Sequence, residues 1–133
     1  MTTVLDASAG IEVVLNRSRA VEIVKVLEVS NKVFSPELYK AEVTNALWKY
    51  LKAGQINKDK AISALVLAMS LVDVYADPAE YSSEVLLESL RLNHSSYDMF
   101  YLVLTRRSGS TLLSLDKKLN AAAAREGLDI LTV

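Results

Sequence analysis

Residues 2–8 have the sequence TTVLDAS, and residues 111–116 have the similar sequence TLLSLD. Each is a short run of apolar and β-branched residues, which predicts a strand, and each leads into an aspartate, Asp6 or Asp116. Residues 32–34 and 129–133 predict two further strands, and apolar residues at helical spacing occupy much of the chain between them. Strands separated by helices imply right-handed crossovers, so we expect an α/β fold with a central parallel sheet flanked by helices.

Capping signals indicate where a long helix follows the second predicted strand. Ser35 and Pro36 match an N-cap followed by proline at the first helical position. The pattern continues to about Ala53, and Gly54 is suited to end the helix. We therefore predict one helix from Pro36 to the glycine.

A second capping signal, Asn57, begins a helix that we predict to reach about Val74. Between residues 61 and 72, apolar residues occur on nearly every side of this helix, as they do in a helix that is buried in the domain or in a partner interface. Asp77-Pro78 then breaks the chain, and further helices are predicted over about 80–92, 97–107 and 116–125.

The bulk composition describes a small structured protein. The chain has 133 residues, 51% of them hydrophobic, with four glycines and two prolines. This length corresponds to one domain, expected over residues 1–133. There is no cysteine, which excludes disulfides, thiolate zinc sites and cysteine nucleophiles. The amino terminus lacks a signal-peptide pattern, and no apolar run approaches the ~18 residues of a membrane span. We expect a cytoplasmic protein with no membrane partner.

The net charge bears on the class of partner. It is −1, from 15 basic and 16 acidic residues. Proteins that bind nucleic acid mainly by electrostatics are usually strongly basic, so the charge argues weakly against RNA. An enzyme that reaches phosphate through bound metal ions escapes this objection, because the metals supply positive charge locally.

Four acidic residues are candidates for a metal site. Asp6 and Asp116 follow predicted strands, at the sheet edge where ligands of open parallel sheets bind. Asp98 lies in the first turn of its helix, and Glu42 lies further inside another. Clustered carboxylates repel one another, and a hard divalent cation with oxygen ligands removes that cost. The alternatives are helix caps for the three aspartates, including a capping box from Ser95 to Asp98, and a surface salt bridge for the glutamate.

Together these segments resemble one known family. In order, spacing and total length, the chain resembles PIN-domain ribonucleases of the VapC toxin type, and the likeness covers essentially the whole chain. Any one segment is a weak signal, whereas all four in order are specific. They are VLDASA at residues 4–9, PELYKAEVTNAL at 36–47, SYDMFYL at 96–102 and LLSLDKKL at 112–119.

The resemblance implies roles for the matching residues. It implies an acidic tetrad that holds one or two Mg²⁺ or Mn²⁺ ions, formed by Asp6, Glu42, Asp98 and Asp116. Ser8 and Asn45 would support the site through hydrogen bonds, and Ser114 stands where the family often has threonine. The implied activity is hydrolysis of RNA phosphodiester bonds by a metal-dependent endoribonuclease. The implied partners are a second copy in a homodimer and a cognate antitoxin protein.

Basic residues near these segments suggest an RNA-binding rim. It would consist of Arg106, Arg107, Lys117 and Lys118 gripping phosphates. The alternative is charge compensation at a helix end for the arginines and ordinary solvation for the lysines. His94, the only histidine, is expected to be a surface residue rather than a catalytic base.

Three other functions are alternatives to the toxin nuclease. A phospho-receiver domain needs paired acids after the first strand, but Ala7 follows Asp6. A PIN fold that binds RNA or a partner without cutting is opposed by the complete acid set. A PIN nuclease of RNA processing outside a toxin system remains open, and a neighbouring antitoxin gene would discriminate.

Overall fold

The computed structural model describes residues 1–133 and contains one sheet of five parallel strands. The strand order is β3-β2-β1-β4-β5, with β1 in the centre. The strands are β1 (Thr2–Leu5), β2 (Lys32–Pro36), β3 (Val74–Ala76), β4 (Thr111–Leu113) and β5 (Ile130–Leu131). The predicted α/β fold with a central parallel sheet is therefore confirmed.

Seven helices connect and cover the strands. They are α1 (Ala7–Val14), α2 (Ala20–Val29), α3 (Leu38–Lys52), α4 (Lys58–Ser70), α5 (Ser82–Leu92), α6 (Ser96–Ser108) and α7 (Lys117–Arg125). A single 3₁₀ turn, Pro78–Glu80, precedes α5. No helix combines the length and apolar character needed to cross a membrane.

Alternate residues of the central strands pack into two different cores. Leu5 and Leu113 belong to a core built with α1, α2, α3 and α4. Their neighbours Val4 and Leu112 belong to a second core built with α5, α6 and α7. Because side chains alternate across a strand, the two cores lie on opposite faces of the sheet. The strand order reverses beside β1, so the ends of β1 and β4 form the crevice where such sheets bind ligands.

The predicted cap at Ser35-Pro36 is wrong. Both residues belong to β2, where Ser35 pairs with Tyr75 and Pro36 with Ala76. The Ser35 hydroxyl donates a hydrogen bond to the carbonyl oxygen of Leu5 at 2.7 Å instead of capping a helix. Proline tolerates the end of a strand, where its missing N–H is not needed, so the helix begins later at Leu38. Its end agrees with the prediction, because Gly54 follows with a φ of 72°.

The helix that begins after Asn57 is shorter than predicted. Asn57 caps it as expected, accepting a hydrogen bond from the Lys60 amide at 2.8 Å. The helix ends at Ser70, and Val74, predicted to be helical, begins β3. Asp73 explains the change, because its amide donates to the Val33 carbonyl and its carboxylate accepts from the Val33 amide, both at 2.8 Å. These pairings attach the segment to the edge of the sheet.

The apolar helix α4 is buried on one side only. Its inner side consists of the small residues Ala61, Ala64 and Ala68. Ile62 and Val66 are exposed on the outer side, at 63% and 65% of their full surface. Burial within the domain is therefore wrong for this side, and the partner interface remains a prediction.

Candidate functional site

Asp6 is the most buried of the four candidate acids. It follows β1, at the N-cap position of α1, and 7% of its surface is exposed. Its side chain does not cap the helix; Oδ2 instead accepts hydrogen bonds from the hydroxyls of Ser8 at 2.5 Å and Ser114 at 2.7 Å. The two serines come from opposite ends of the chain, so the carboxylate is fixed where β1 and β4 end side by side.

Asp116 is held by the first turn of α7. Its Oδ1 accepts hydrogen bonds from the amides of Lys118 at 2.9 Å and Leu119 at 3.2 Å. Its own amide donates to the Ser114 hydroxyl at 2.9 Å. The capping interpretation of this aspartate is therefore correct, and it is compatible with a second role because both capping bonds use the same oxygen.

Glu42 reaches the site from α3 and is oriented by a tyrosine. The buried hydroxyl of Tyr101 donates a 2.6 Å hydrogen bond to Glu42 Oε1. Burial raises the pKa of Glu42 from 4.5 to about 7, reinforced by the negative charges of Asp6, Asp98 and Asp116 and opposed by the tyrosine hydrogen bond. A surface salt bridge for this glutamate is excluded, because its contact is a buried phenol.

Asp98 lies in the first turn of α6 beside a buried histidine. Its Oδ2 is 3.4 Å from Nδ1 of His94, whose side chain is only 4% exposed. The expectation of a surface histidine is therefore wrong. Ser95 caps the helix by accepting from the Tyr97 amide at 3.3 Å, and Asp98 does not complete a capping box. Burial, then the charge of Asp116, raise the pKa of Asp98 above its ordinary value, against the opposing effect of His94.

The four carboxylates share one electrostatic environment at the carboxyl edge of the sheet. Burial is the main cause that raises the pKa of Asp6, and the charge of Asp116 adds to it against the serine hydrogen bonds. Glu42 experiences the charges of all three aspartates. No three of these side chains lie close enough together to hold a metal ion in their present positions. The site is therefore a region of concentrated negative charge whose members stop short of coordination distance.

The donor set suits a hard divalent cation. Every candidate ligand is a carboxylate oxygen, the ligand that Mg²⁺ and Mn²⁺ prefer. In each of the four acids, one oxygen makes the contacts described above. The other oxygens of Glu42, Asp98 and Asp116 make no hydrogen bond within the chain, which leaves them available to an ion. A bound cation would also offset the burial and repulsion that raise the pKa values.

A groove of about 800 Å³ opens beside Glu42 and Ser8 and extends between α1 and α3. Asn45 lines it one turn after Glu42, is exposed and makes no hydrogen bond to the acids. Ser8, in contrast, contacts Asp6 and also accepts from the Leu115 amide at 3.0 Å. Of the three residues predicted to support the site, the structure therefore brings Ser8 and Ser114 to the acids by direct hydrogen bonds.

The structure separates the four predicted RNA-binding residues into two pairs. Lys117 and Lys118 are exposed beside Asp116, and the charge of Lys118 acts to lower the pKa of Asp98. Arg106 and Arg107 lie two turns beyond Asp98 on α6, about 12 Å along the helix axis. Both arginines pair with Glu84 on α5. The arginines are thus paired with a glutamate of α5, away from the four acids.

Sequence reasoning missed Tyr101 and the place of His94. Tyr101 lies three residues after Asp98, on the same side of α6. That spacing could have indicated a role for Tyr101, because a tyrosine at this position can reach the same site that Asp98 faces. His94 precedes the helix in a short connection, and nothing in the sequence indicates its burial.

A family model of the PIN domain matches residues 3–125. A curated relative, Ribonuclease VapC3 of Pyrobaculum aerophilum, is 29% identical over 124 residues, covering 90% of this chain and 92% of the relative.

Solved structures with the same fold are similar over nearly the whole chain. The crystal structure of PAE2754 from Pyrobaculum aerophilum has a TM-score of 0.74 and 27% identity, covering 91% of this chain and 86% of that one. VapBC2 from Rickettsia felis, bound to a DNA fragment from its promoter, has a TM-score of 0.70 and 14% identity, with 98% of both chains covered. VapC20 of Mycobacterium tuberculosis, a Sarcin-Ricin loop cleaving toxin, has a TM-score of 0.69 and 15% identity, covering 90% and 94%. The last two likenesses concern the fold alone.

Proposed function

This chain belongs to the PIN domain family, and from that premise we propose that it is a metal-dependent endoribonuclease and the toxin of a VapBC-type toxin–antitoxin pair. Residues 1–133 would form one PIN domain. Asp6, Glu42, Asp98 and Asp116 would hold Mg²⁺ or Mn²⁺, and the substrate would be an RNA phosphodiester bond. The relative named Ribonuclease VapC3, alike over 90% of this chain, supports the choice of RNA.

One observation carries this proposal. Acids from four separate segments share charge interactions at the ends of β1 and β4, and three of them have raised pKa values. Gathering like charges at one edge destabilises a fold, and a protein that retains four carboxylates there gains something else from them. A binding site for divalent cations accounts for both the clustering and the absence of a basic partner at Glu42.

The surrounding residues have distinct tasks in this chemistry. Ser8 and Ser114 hold the Asp6 carboxylate, Tyr101 orients Glu42, and the amides of α7 hold Asp116. The acids would bring one free oxygen each towards the ion by small side-chain rotations. The cation, when bound, supplies positive charge to the phosphate and acidifies a water molecule. Hydrolysis of the RNA would join a water oxygen to phosphorus, break the bond from phosphorus to O3′ and pass a proton to O3′, leaving a 5′-phosphate and a 3′-hydroxyl.

Cleavage of mixed RNA by the purified protein tests the proposal. We expect cleavage with Mg²⁺ or Mn²⁺, none with EDTA, and none from a folded Asp98→Asn variant. Lys25→Ala, on the exposed side of α2, is a matched control that should cleave normally. Cleavage that persists in EDTA or in folded Asp98→Asn would refute the assignment. Absence of cleavage from folded protein freed of any antitoxin would favour a PIN module that binds without cutting.

The proposed partners have apolar surfaces available to them. On α5, Leu86, Leu87 and Leu90 are each at least 65% exposed. On α4, Ile62 and Val66 form a second exposed surface. Contiguous exposed apolar residues usually mark protein interfaces, so we propose a homodimer and an antitoxin as their occupants. A monomeric mass from light scattering at micromolar concentration would refute the dimer. Expression with the neighbouring gene tests the antitoxin, because a nuclease of RNA processing would copurify with no inhibitor.

A further inference from the structure

The groove between α1 and α3 is larger than one scissile phosphate requires. Its volume is about 800 Å³, and it begins at Ser8 and Glu42, where the acids lie. Its far part is lined by Arg17, Lys49 and Tyr50. Glu42 and Lys49 are two helical turns apart on the same side of α3, about 10 Å along its axis. The groove therefore connects the acids to two cationic side chains.

The two cations differ in how they are held. Arg17 is fixed, because its Nε pairs with Glu12 at 3.3 Å and its Nη1 donates to the hydroxyl of Tyr50. The Lys49 side chain is exposed and takes part in none of the ion pairs, side-chain hydrogen bonds or cation–π contacts of the chain. Since Glu12 already faces Arg17, Lys49 provides the uncompensated positive charge of this part of the groove.

An endonuclease cuts within a strand, so its substrate must leave the site in two directions. Lys117 and Lys118 lie next to the acids, beside Asp116. The groove extends away from the acids on the side where Glu42 lies. We propose that this groove holds the single-stranded RNA on one side of the cleaved bond, with a backbone phosphate bound by Lys49 and Arg17. The inference rests on the nuclease activity proposed above. A groove of this size accommodates roughly one or two nucleotides of single strand.

Binding of a short labelled oligoribonucleotide, measured by fluorescence anisotropy, tests the groove separately from catalysis. Asp98→Asn serves as the background, because it prevents cleavage during the measurement. Adding Lys49→Ala should weaken binding about fivefold or more. It should also reduce the slope of log affinity against log salt by about 0.7, the value for one phosphate contact on a single strand. Lys49 is exposed, so its substitution should not disturb folding.

Lys52→Ala in the same background is the control, because Lys52 is exposed on α3 but does not line the groove. It should leave both affinity and salt slope nearly unchanged. Equal losses in the two variants, or no loss in Lys49→Ala, would overturn the proposal. In the catalytically intact protein, Lys49→Ala should raise KM and leave kcat unchanged. Cleavage by the wild type with no effect of Lys49→Ala would refute the groove alone, whereas absence of wild-type cleavage would refute the nuclease.

Discussion

Replacing Glu42 by glutamine should stabilise the metal-free protein at alkaline pH. Burial and the neighbouring aspartates raise the pKa of Glu42 from 4.5 to about 7. Complete conversion of that difference gives about 3 kcal/mol. The side chain is only half-buried and solvent screens part of the interaction, so we expect about 1–2 kcal/mol. Glutamine has the same shape and retains an oxygen that accepts the hydrogen bond from Tyr101.

The direction of the effect follows from proton linkage. The raised pKa means that the folded state keeps its proton at pH values where the unfolded state has lost it. The stabilisation from that proton is complete below pH 4.5 and is lost as the pH rises through about 7. Glutamine cannot lose a proton, so the variant avoids this loss. Urea unfolding in EDTA at about pH 5 and about pH 8, followed by circular dichroism, measures the difference.

Glu22→Gln is the matched control for this measurement, because Glu22 is exposed on α2 away from the acids. Its free energy of unfolding should change with pH as that of the wild type does. The reasoning would be refuted if Glu42→Gln gained no more stability at the higher pH than at the lower one. Excess Mg²⁺ should reverse the ranking, because the ion stabilises only a protein that binds it.

Substitutions at three further positions test individual contacts. Asp116→Ala should lower the free energy of unfolding by about 0.5–2 kcal/mol, because the α7 cap is lost. Asp116→Asn should retain the cap, so equal urea midpoints for the two variants would contradict the capping. Gly10→Ala should cost about 1–3 kcal/mol, because its Cβ would lie 2.5 Å from the Tyr39 hydroxyl, and a wild-type midpoint would disprove this packing. Tyr101→Phe should raise the pKa of Glu42 further, since the lost hydrogen bond acts to lower it; an unchanged carboxyl titration by NMR would exclude that role.

Local patterns in the sequence predicted most of the fold, and long-range contacts decided the rest. β1 and β4 were predictable because each is a short, largely buried run of apolar and β-branched residues that is soon followed by an aspartate. β3 was not, because Val74 continues an apolar helical pattern and becomes a strand through pairing with β2 and through the contacts of Asp73 with Val33. Ser35 was misassigned for a similar reason, since its hydroxyl donates a hydrogen bond to the carbonyl oxygen of Leu5 on the neighbouring strand.

The candidate site was predictable in its members more than in its geometry. The resemblance named all four acids, and the structure gathers them into one electrostatic environment. The serine pair around Asp6 joins residues 8 and 114, which no spacing rule relates. Arg106 was a reasonable candidate from sequence, because only the three-dimensional structure shows its glutamate partners on α5.

Manganese binding measured together with RNA cleavage tests the central claim most directly. Free Mn²⁺ would be followed by electron paramagnetic resonance in the wild type and in four folded variants, Asp6→Asn, Glu42→Gln, Asp98→Asn and Asp116→Asn. We predict that the wild type binds Mn²⁺ and cleaves RNA, and that each variant loses affinity for the ion and cleavage together. Cleavage by a folded variant that no longer binds Mn²⁺, or by the wild type stripped of metal, would contradict the account.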